Sequence, residues 1–188
     1  MTDSQNTEPR VDLGAARPLH GDGLLLRPWE LSEAPLLLTL ADDELMKTWN
    51  SHMIKSTMAE AVAKVERSRE WQDFAVWAIA DLDTGELLGD IALHHLDALN
   101  SSGEIGYSVF AGARGHGVAP RAAQAVSAFA FGELGLERLE LYHAVENTQS
   151  CRVALKAGFA HEGTLRKSYR YGDGELHDEH IHGRLRTD

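Results

Sequence analysis

A single cysteine, Cys151, leaves this chain without an intramolecular disulfide and without a CxxC metal or redox motif. A reducing compartment is expected from that. Long hydrophobic runs are also missing. The longest unbroken apolar run, Phe74 to Ala80, is far short of a membrane span. The first residues carry Asp3, Glu8 and Asp12 around no apolar stretch, so no secretory signal is expected, and the expected location is cytoplasmic. Positive charge is scarce, with 18 Lys and Arg against 29 Asp and Glu and a net charge of −11. That balance argues against a nucleic-acid backbone or an anionic membrane surface as the main partner. It is compatible with a cationic one such as an amine.

What is present describes an ordinary globular domain. The 188 residues are 43% hydrophobic and 25% charged, enough for one sizeable core. Residues 1–14 are polar and lack periodicity, and are read as a flexible tail. Residues 15–188 are read as a single domain. Leu24 to Arg27 reads as a first strand stopped by Pro28. Ser32 is placed to cap a helix over Leu36, Leu37 and Leu40. Asp42 to Lys55 is mixed, with Trp49 and Met53 as packing points. Thr57-Met58-Ala59-Glu60 has the capping-box pattern of a second helix.

Phe74 to Ala80 is apolar on both faces, the mark of a central strand. The turns at Asp83–Glu86 and Asn100–Gly103 connect it to strands at Leu87–Leu96 and Glu104–Val109. Pro120 to Leu134 has Ala122, Ala125, Val126, Phe129 and Ala130 at helical spacing. A strand at Arg138–Ala144, a short helix at Ser150–Ala157 and a hairpin over Gly163–Leu185 complete the chain. The order β-α-α-β-β-β-α-β-α-β-β predicts a mixed α/β fold. The three strands joined by short turns should be antiparallel. The strand–helix–strand unit from Glu104 to Ala144 should make one parallel pair.

The unit centres on Arg114-Gly115-His116-Gly117-Val118-Ala119, which joins that strand to its helix. Two glycines let the backbone approach a ligand closely, and the first turn of a helix has unpaired N–H groups and a positive dipole end. Pro120 fits there because it has no N–H to leave unpaired. Two readings stand for the six residues: an anion site, with phosphate the usual anion, or a tight connection that binds nothing.

The wider pattern resembles one family. Arg114 to Ala119 is similar to the R/Q-x-x-G-x-G/A element of the GNAT acyltransferases. Asn147-Thr148-Gln149-Ser150 with Lys156-Ala157-Gly158-Phe159 resembles the N-x-x-S and K-x-G-F elements of the RimJ/RimL-like branch. Glu104-Ile105-Gly106-Tyr107, Leu26-Arg27-Pro28 and Tyr171-Gly172-Asp173-Gly174 with His177-Asp178 resemble its other segments, in the right order. The resemblance implies a GNAT-like, mostly antiparallel sheet with a splayed parallel pair and flanking helices. It implies acetyl-CoA as co-substrate, with the amides of Arg114, Gly115, His116, Gly117, Val118 and Ala119 around its pyrophosphate. Val109 ends the strand that would pair with the pantetheine arm, Asn147 would bond that arm, and Ser150 would sit near the sulfur. The acceptor implied is a primary amine, most of all the α-amine of a protein N-terminus. A small amine or antibiotic, or a module that binds acyl-CoA without turnover, are the other readings.

The residue chemistry suits transfer. Ser150 has a hydroxyl that can protonate a leaving thiolate, or can simply cap a helix. Glu104 is the candidate base, able to take the amine proton through water or to orient the cation; an exposed strand-end acid is the alternative. Cys151 is read as a packing residue rather than a nucleophile, although His143 or His161 could approach it. His94, His95, His177, His180 and His182 hint at a metal cluster, with His180 and His182 on one strand face. No fixed ligand spacing supports zinc, so surface or cleft-lining histidines are expected and no metal. Trp49 has the best claim to the acceptor pocket, and Tyr107 is expected in the core or the cleft wall. A free sheet edge permits a homodimer.

Overall fold

Every residue from Ala75 to Ala80 is buried, and this run forms strand β3 (Ala75–Asp81). Its side chains alternate between two cores. Ala75, Trp77 and Ile79 enter one together with Ala122, Val126 and Phe129. Val76 and Ala78 enter the other with Leu37, Met46 and Val65. The sheet is therefore covered on both faces, as a strand without a polar face requires. The computed structural model from which this follows describes residues 10–188.

The remaining strands are β1 (Leu19–Gly21), β2 (Leu24–Arg27), β4 (Leu87–Asp97), β5 (Ser102–Val109), β6 (Arg138–Ala144), β7 (Ala160–Arg170) and β8 (Leu176–Leu185). They form one eight-stranded sheet in the order β1-β2-β3-β4-β5-β6-β8-β7. β5 and β6 are parallel, and the other neighbours are antiparallel. The helices are α1 (Leu36–Thr39), α2 (Glu44–Trp49), α3 (Met58–Ser68), α4 (Val118–Gly132) and α5 (Thr148–Lys156). The expected mixed fold with its single parallel pair is what the chain adopts. α3 starts with the expected capping box, Thr57 Oγ1 accepting the Glu60 N–H at 3.2 Å and Glu60 accepting the Thr57 N–H at 3.2 Å.

Three local expectations need correction. β1 is an extra strand, paired to β2, and at three residues it is too short to show alternation. The mixed segment after Asp42 contains α2, capped by Asp43, whose carboxylate accepts from the amides of Leu45 at 3.0 Å and Met46 at 3.2 Å. Ser32 does not cap; Glu33 accepts the Glu30 N–H at 2.8 Å and pairs with Arg27.

The expected tail also divides. Residues 1–9 lie outside the described residues. Leu13, however, is 3% exposed and joins the core with Trp71, Trp77 and Phe129, and Val11 packs against it. The chain then crosses the same aromatic group, where the Trp77 indole N–H donates to the Arg17 carbonyl at 3.0 Å. Residues 11–13 are thus anchored chiefly by Leu13, with Val11 packed beside it. Replacing Leu13 by alanine should lower unfolding stability by about 2–3 kcal/mol, as for other buried leucines. Urea denaturation checks this, and an unchanged midpoint would return the segment to the tail.

Candidate active site

β5 and β6 are held together by three register pairs, Ser102–Arg138, Gly103–Leu139 and Glu104–Glu140. β5 stays paired to β4 as far as Val109, and β6 stays paired to β8 as far as Ala144. Beyond Glu104 the two strands part, and the β6-facing edge of β5 loses its ladder partner. Such backbone groups need another partner. The gap is a cleft of about 680 Å³. Tyr107 and Val109 line it from β5, and Asn147, Ser150 and Arg152 from the α5 side.

The glycine turn closes one end of this cleft. Gly115 has φ +82° and Gly117 φ +73°, the left-handed region that a side chain strongly disfavours. Gly117 is the residue before α4, so the first N–H groups of a fifteen-residue helix point out of the turn. Arg114, Gly115, Gly117, Val118 and Ala119 all line the cleft. His116 stands outside its wall.

Two arginines brace the turn from behind. Arg114 donates through Nε to the Val109 carbonyl at 3.0 Å and makes a bidentate pair with Asp43. Its guanidinium is therefore engaged within the protein, and its contribution to an anion is its backbone. Asp43 also caps α2, so one carboxylate ties the turn to the helix carrying Trp49. Burial alone would raise the Asp43 pKa, but the bonds from Arg114, Met46 and Leu45 outweigh it and hold the carboxyl below the usual aspartate range. Arg121 donates to the carbonyls of Gly117 and Asp22, joining the turn to the β1–β2 hairpin.

On the opposite wall, the Asn147 side chain accepts the Ser150 N–H at 3.2 Å and caps α5. The cap is Asn147, which leaves the Ser150 hydroxyl free. The Tyr107 hydroxyl donates to Ser150 Oγ at 3.0 Å. Burial pushes the Tyr107 pKa up to about 12, against a weaker lowering by Ser150, so the phenol keeps its proton at neutral pH. A half-buried hydroxyl pair faces the gap where the backbone of β5 is unpaired.

Residues 23–160 match the profile of the family described as Acetyltransferase (GNAT) domain. The chain belongs to the GNAT family. Members of this family use acetyl-CoA. The chain is 35% identical over 106 residues to the uncharacterized N-acetyltransferase YoaA of Bacillus subtilis, covering 56% of the chain and 59% of that protein. It is 32% identical over 100 residues to the ribosomal-protein-serine acetyltransferase of Escherichia coli, covering 53% and 55%. These matches span little more than half of each relative. The uncharacterized N-acetyltransferase p20 of Bacillus licheniformis matches at 28% over 173 residues, 90% of the chain and 97% of that protein. Among solved structures, a GNAT acetyltransferase of Bacillus anthracis superposes with a TM-score of 0.79 at 24% identity, covering 91% of this chain and 99% of that one.

In this GNAT chain the sequence-derived residues fall into two groups. Val109, the turn residues other than His116, Asn147 and Ser150 meet around the cleft. Glu104 does not. It is the last paired residue before the strands part, and its carboxylate meets His95 Nδ1 at 2.8 Å, with His94 at 3.9 Å. Trp49 lines the cleft as expected, together with Asn50 and Glu146. The ring of Tyr171, in the loop between β7 and β8, stands edge-on to Trp49 at 5.3 Å. That loop docks on α2 through Gly172, whose N–H donates to the Thr48 carbonyl at 2.9 Å. A Cβ at Gly172 would stand 1.8 Å from the Lys47 carbonyl oxygen. Tyr107 is the residue sequence reasoning undervalued. Its alternation with Ile105 and Val109 was visible, but not its hydroxyl partner 43 residues away.

Removing the Asp43 carboxylate, Asp43→Ala, deletes both the α2 cap and the Arg114 brace. Thermal denaturation at pH 7 should show a loss of about 1–2 kcal/mol. The Asp43 pKa is depressed in the fold, so its contribution is present above the ordinary value of 3.8 and is lost as pH falls through the lower folded value. Wild type and variant should therefore converge at acidic pH. A difference that is independent of pH would contradict the brace.

Proposed function

We propose that the chain transfers an acetyl group from acetyl-CoA to a primary amine, and that the amine is the α-amine of a protein N-terminus. The observation that carries the donor is the cleft itself. An unpaired strand edge leads from the Tyr107–Ser150 pair to a glycine turn at a helix N-terminus, the shape of an extended arm ending in a diphosphate. A Cβ at Gly115 would meet nothing within 4 Å, so the turn faces open space. Acetyl-CoA supplies the acyl group as a thioester. A β5 backbone N–H aimed into the gap polarises its carbonyl oxygen. Ser150 Oγ–H gives a proton to the leaving sulfur and takes back, through water, the proton shed by the attacking amine, while the Tyr107 O–H keeps its own proton and steadies Oγ by donating to it. The amine loses one proton and the thiolate gains one.

An α-amine has a pKa near 8, so a substantial fraction is already unprotonated near neutral pH. Glu104, held by His95 where the strands part and outside the cleft wall, acts on the remaining proton only through a relaying water. Glu146 and Trp49 at the mouth favour a cationic acceptor with an apolar neighbour. That the acceptor is a protein is supported by the likeness to the E. coli ribosomal-protein-serine acetyltransferase. No helix among the described residues is long and apolar enough to cross a membrane, and the proposed setting is the cytoplasm. The proposed homodimer rests on the free edge of β7, where Leu165 and Tyr169 are exposed.

Thiol release measured with N-terminal peptides, free amino acids, polyamines and aminoglycosides tests the acceptor. The highest kcat/KM is expected on a peptide. A small amine that surpasses every peptide overturns the N-terminal reading, and no turnover on any amine overturns the transferase reading. Ser150→Ala should lower kcat by ~10²-fold with coenzyme affinity unchanged. Full turnover in this variant would remove Ser150 from the proton path.

A further inference from the structure

Four histidines share one face of the sheet beside α5, and the reaction has no use for them. The register sets His143 opposite His180 across β6 and β8, and His161 opposite His182 across β8 and β7. His143 follows Leu139 and Leu141 on the inward face of β6 and is 3% exposed; His182 is fully buried. The expectation of a surface or cleft-lining histidine therefore fails for His182. Cys151, half-buried in the first turn of α5, reaches the same place. One ligand atom from each of His143, Cys151, His180 and His182 can be chosen so that all four lie within 4.8 Å of one another.

We propose that His143, His180, His182 and Cys151 form a tetrahedral binding site for a divalent transition metal, with zinc the best match. Three imidazoles, one thiol and no carboxylate form a zinc-type donor set, unsuited to magnesium or calcium. The hydrogen bonds prepare it. His143 Nδ1 lies 2.8 Å from the Ala144 carbonyl oxygen, which can only accept, so that nitrogen carries the proton. Nε2 is then a bare lone pair, the arrangement in which a backbone carbonyl orients a ligating imidazole. It points at His182 Nε2, 3.1 Å away, close to the ~3.3 Å edge of a zinc tetrahedron with nitrogen ligands.

A second observation is independent of that pair. The Nδ1 atom of His180 is buried with no hydrogen-bond partner among the described residues. Unsatisfied buried nitrogens cost stability unless something fills the site. Burial and the neighbouring imidazoles hold His182 down to about 4, and burial also lowers His143, so both are neutral and able to ligate at pH 7. With Cys151 ligating as a thiolate beside three neutral imidazoles, the loaded site would carry a net charge of +1. Because Cys151 follows Ser150, the ion would also pin the start of α5.

Cobalt(II) titrated into the chelator-treated full chain tests this directly. The expected spectrum has the intense visible bands of a tetrahedral site and a thiolate-to-cobalt charge-transfer band, both erased by one equivalent of zinc. Cys151→Ala, which keeps a good helix former in α5, should lose the charge-transfer band and bind at least ~10-fold more weakly. His94→Gln with His95→Gln should change nothing. Zinc should also slow modification of the wild-type Cys151 thiol by a disulfide reagent. A wild-type spectrum without the charge-transfer band, equal affinity in Cys151→Ala, or an unprotected thiol would each overturn the site.

Discussion

The parallel ladder between β5 and β6 spans three residue pairs, while each strand keeps a long antiparallel ladder with its other neighbour. The sheet is in effect two halves joined at a short seam. The right-handed twist of each half carries the free ends of the two strands apart. Parting leaves backbone donors and acceptors of β5 without ladder partners, which is costly unless something else meets them. A ligand that presents amides along an extended arm does so. The cleft, the position of the glycine turn at its end and the approach of Ser150 to Tyr107 all depend on where the seam stops.

The surroundings of the seam are fixed by long-range polar contacts rather than by packing alone. Arg114 reaches back to Val109 and across to Asp43, so the turn, the end of β5 and α2 move as one unit. Arg121 does the same for the β1–β2 hairpin. Gly172 lets the β7–β8 loop touch the backbone of α2 and brings Tyr171 to Trp49. In the proposed assignment the donor end is built from a strand, a turn and a helix adjacent in sequence. The proposed acceptor end is assembled from α2, the loop after β6 and the final hairpin, which are remote from one another. One fold can hold the same donor while its acceptor varies.

That division explains how much could be read without coordinates. β3, the capping box at Thr57, the parallel pair and the glycine turn rest on local chemistry: alternation, a four-residue cap, a connection too long for a hairpin, two residues with positive φ. Each was legible. Asn147 and Ser150 were also legible, though not which of them caps α5. β1 and α2 were not, because three and six residues carry little periodicity. Leu13 was hidden by the polar residues around it. The Tyr107 hydroxyl bond, the engagement of the Arg114 side chain and the gathering of His143, His180 and His182 with Cys151 depend on sheet register and on α5 packing over it. No spacing in the chain encodes those. Glu104 shows the converse, since its strand was placed correctly while its carboxylate is bound to His95 outside the cleft wall.

The central claim is that the parted edge of β5 and the turn at α4 together hold the coenzyme. Amide chemical shifts recorded while coenzyme A is added to the isotope-labelled chain test it most directly. Large shifts are expected only at Ile105–Val109, Gly115–Ala119 and Asn147–Ser150, with those of β1 and β3 unmoved. Saturable binding that shifts other amides and leaves Gly115, Gly117 and Tyr107 in place would contradict it.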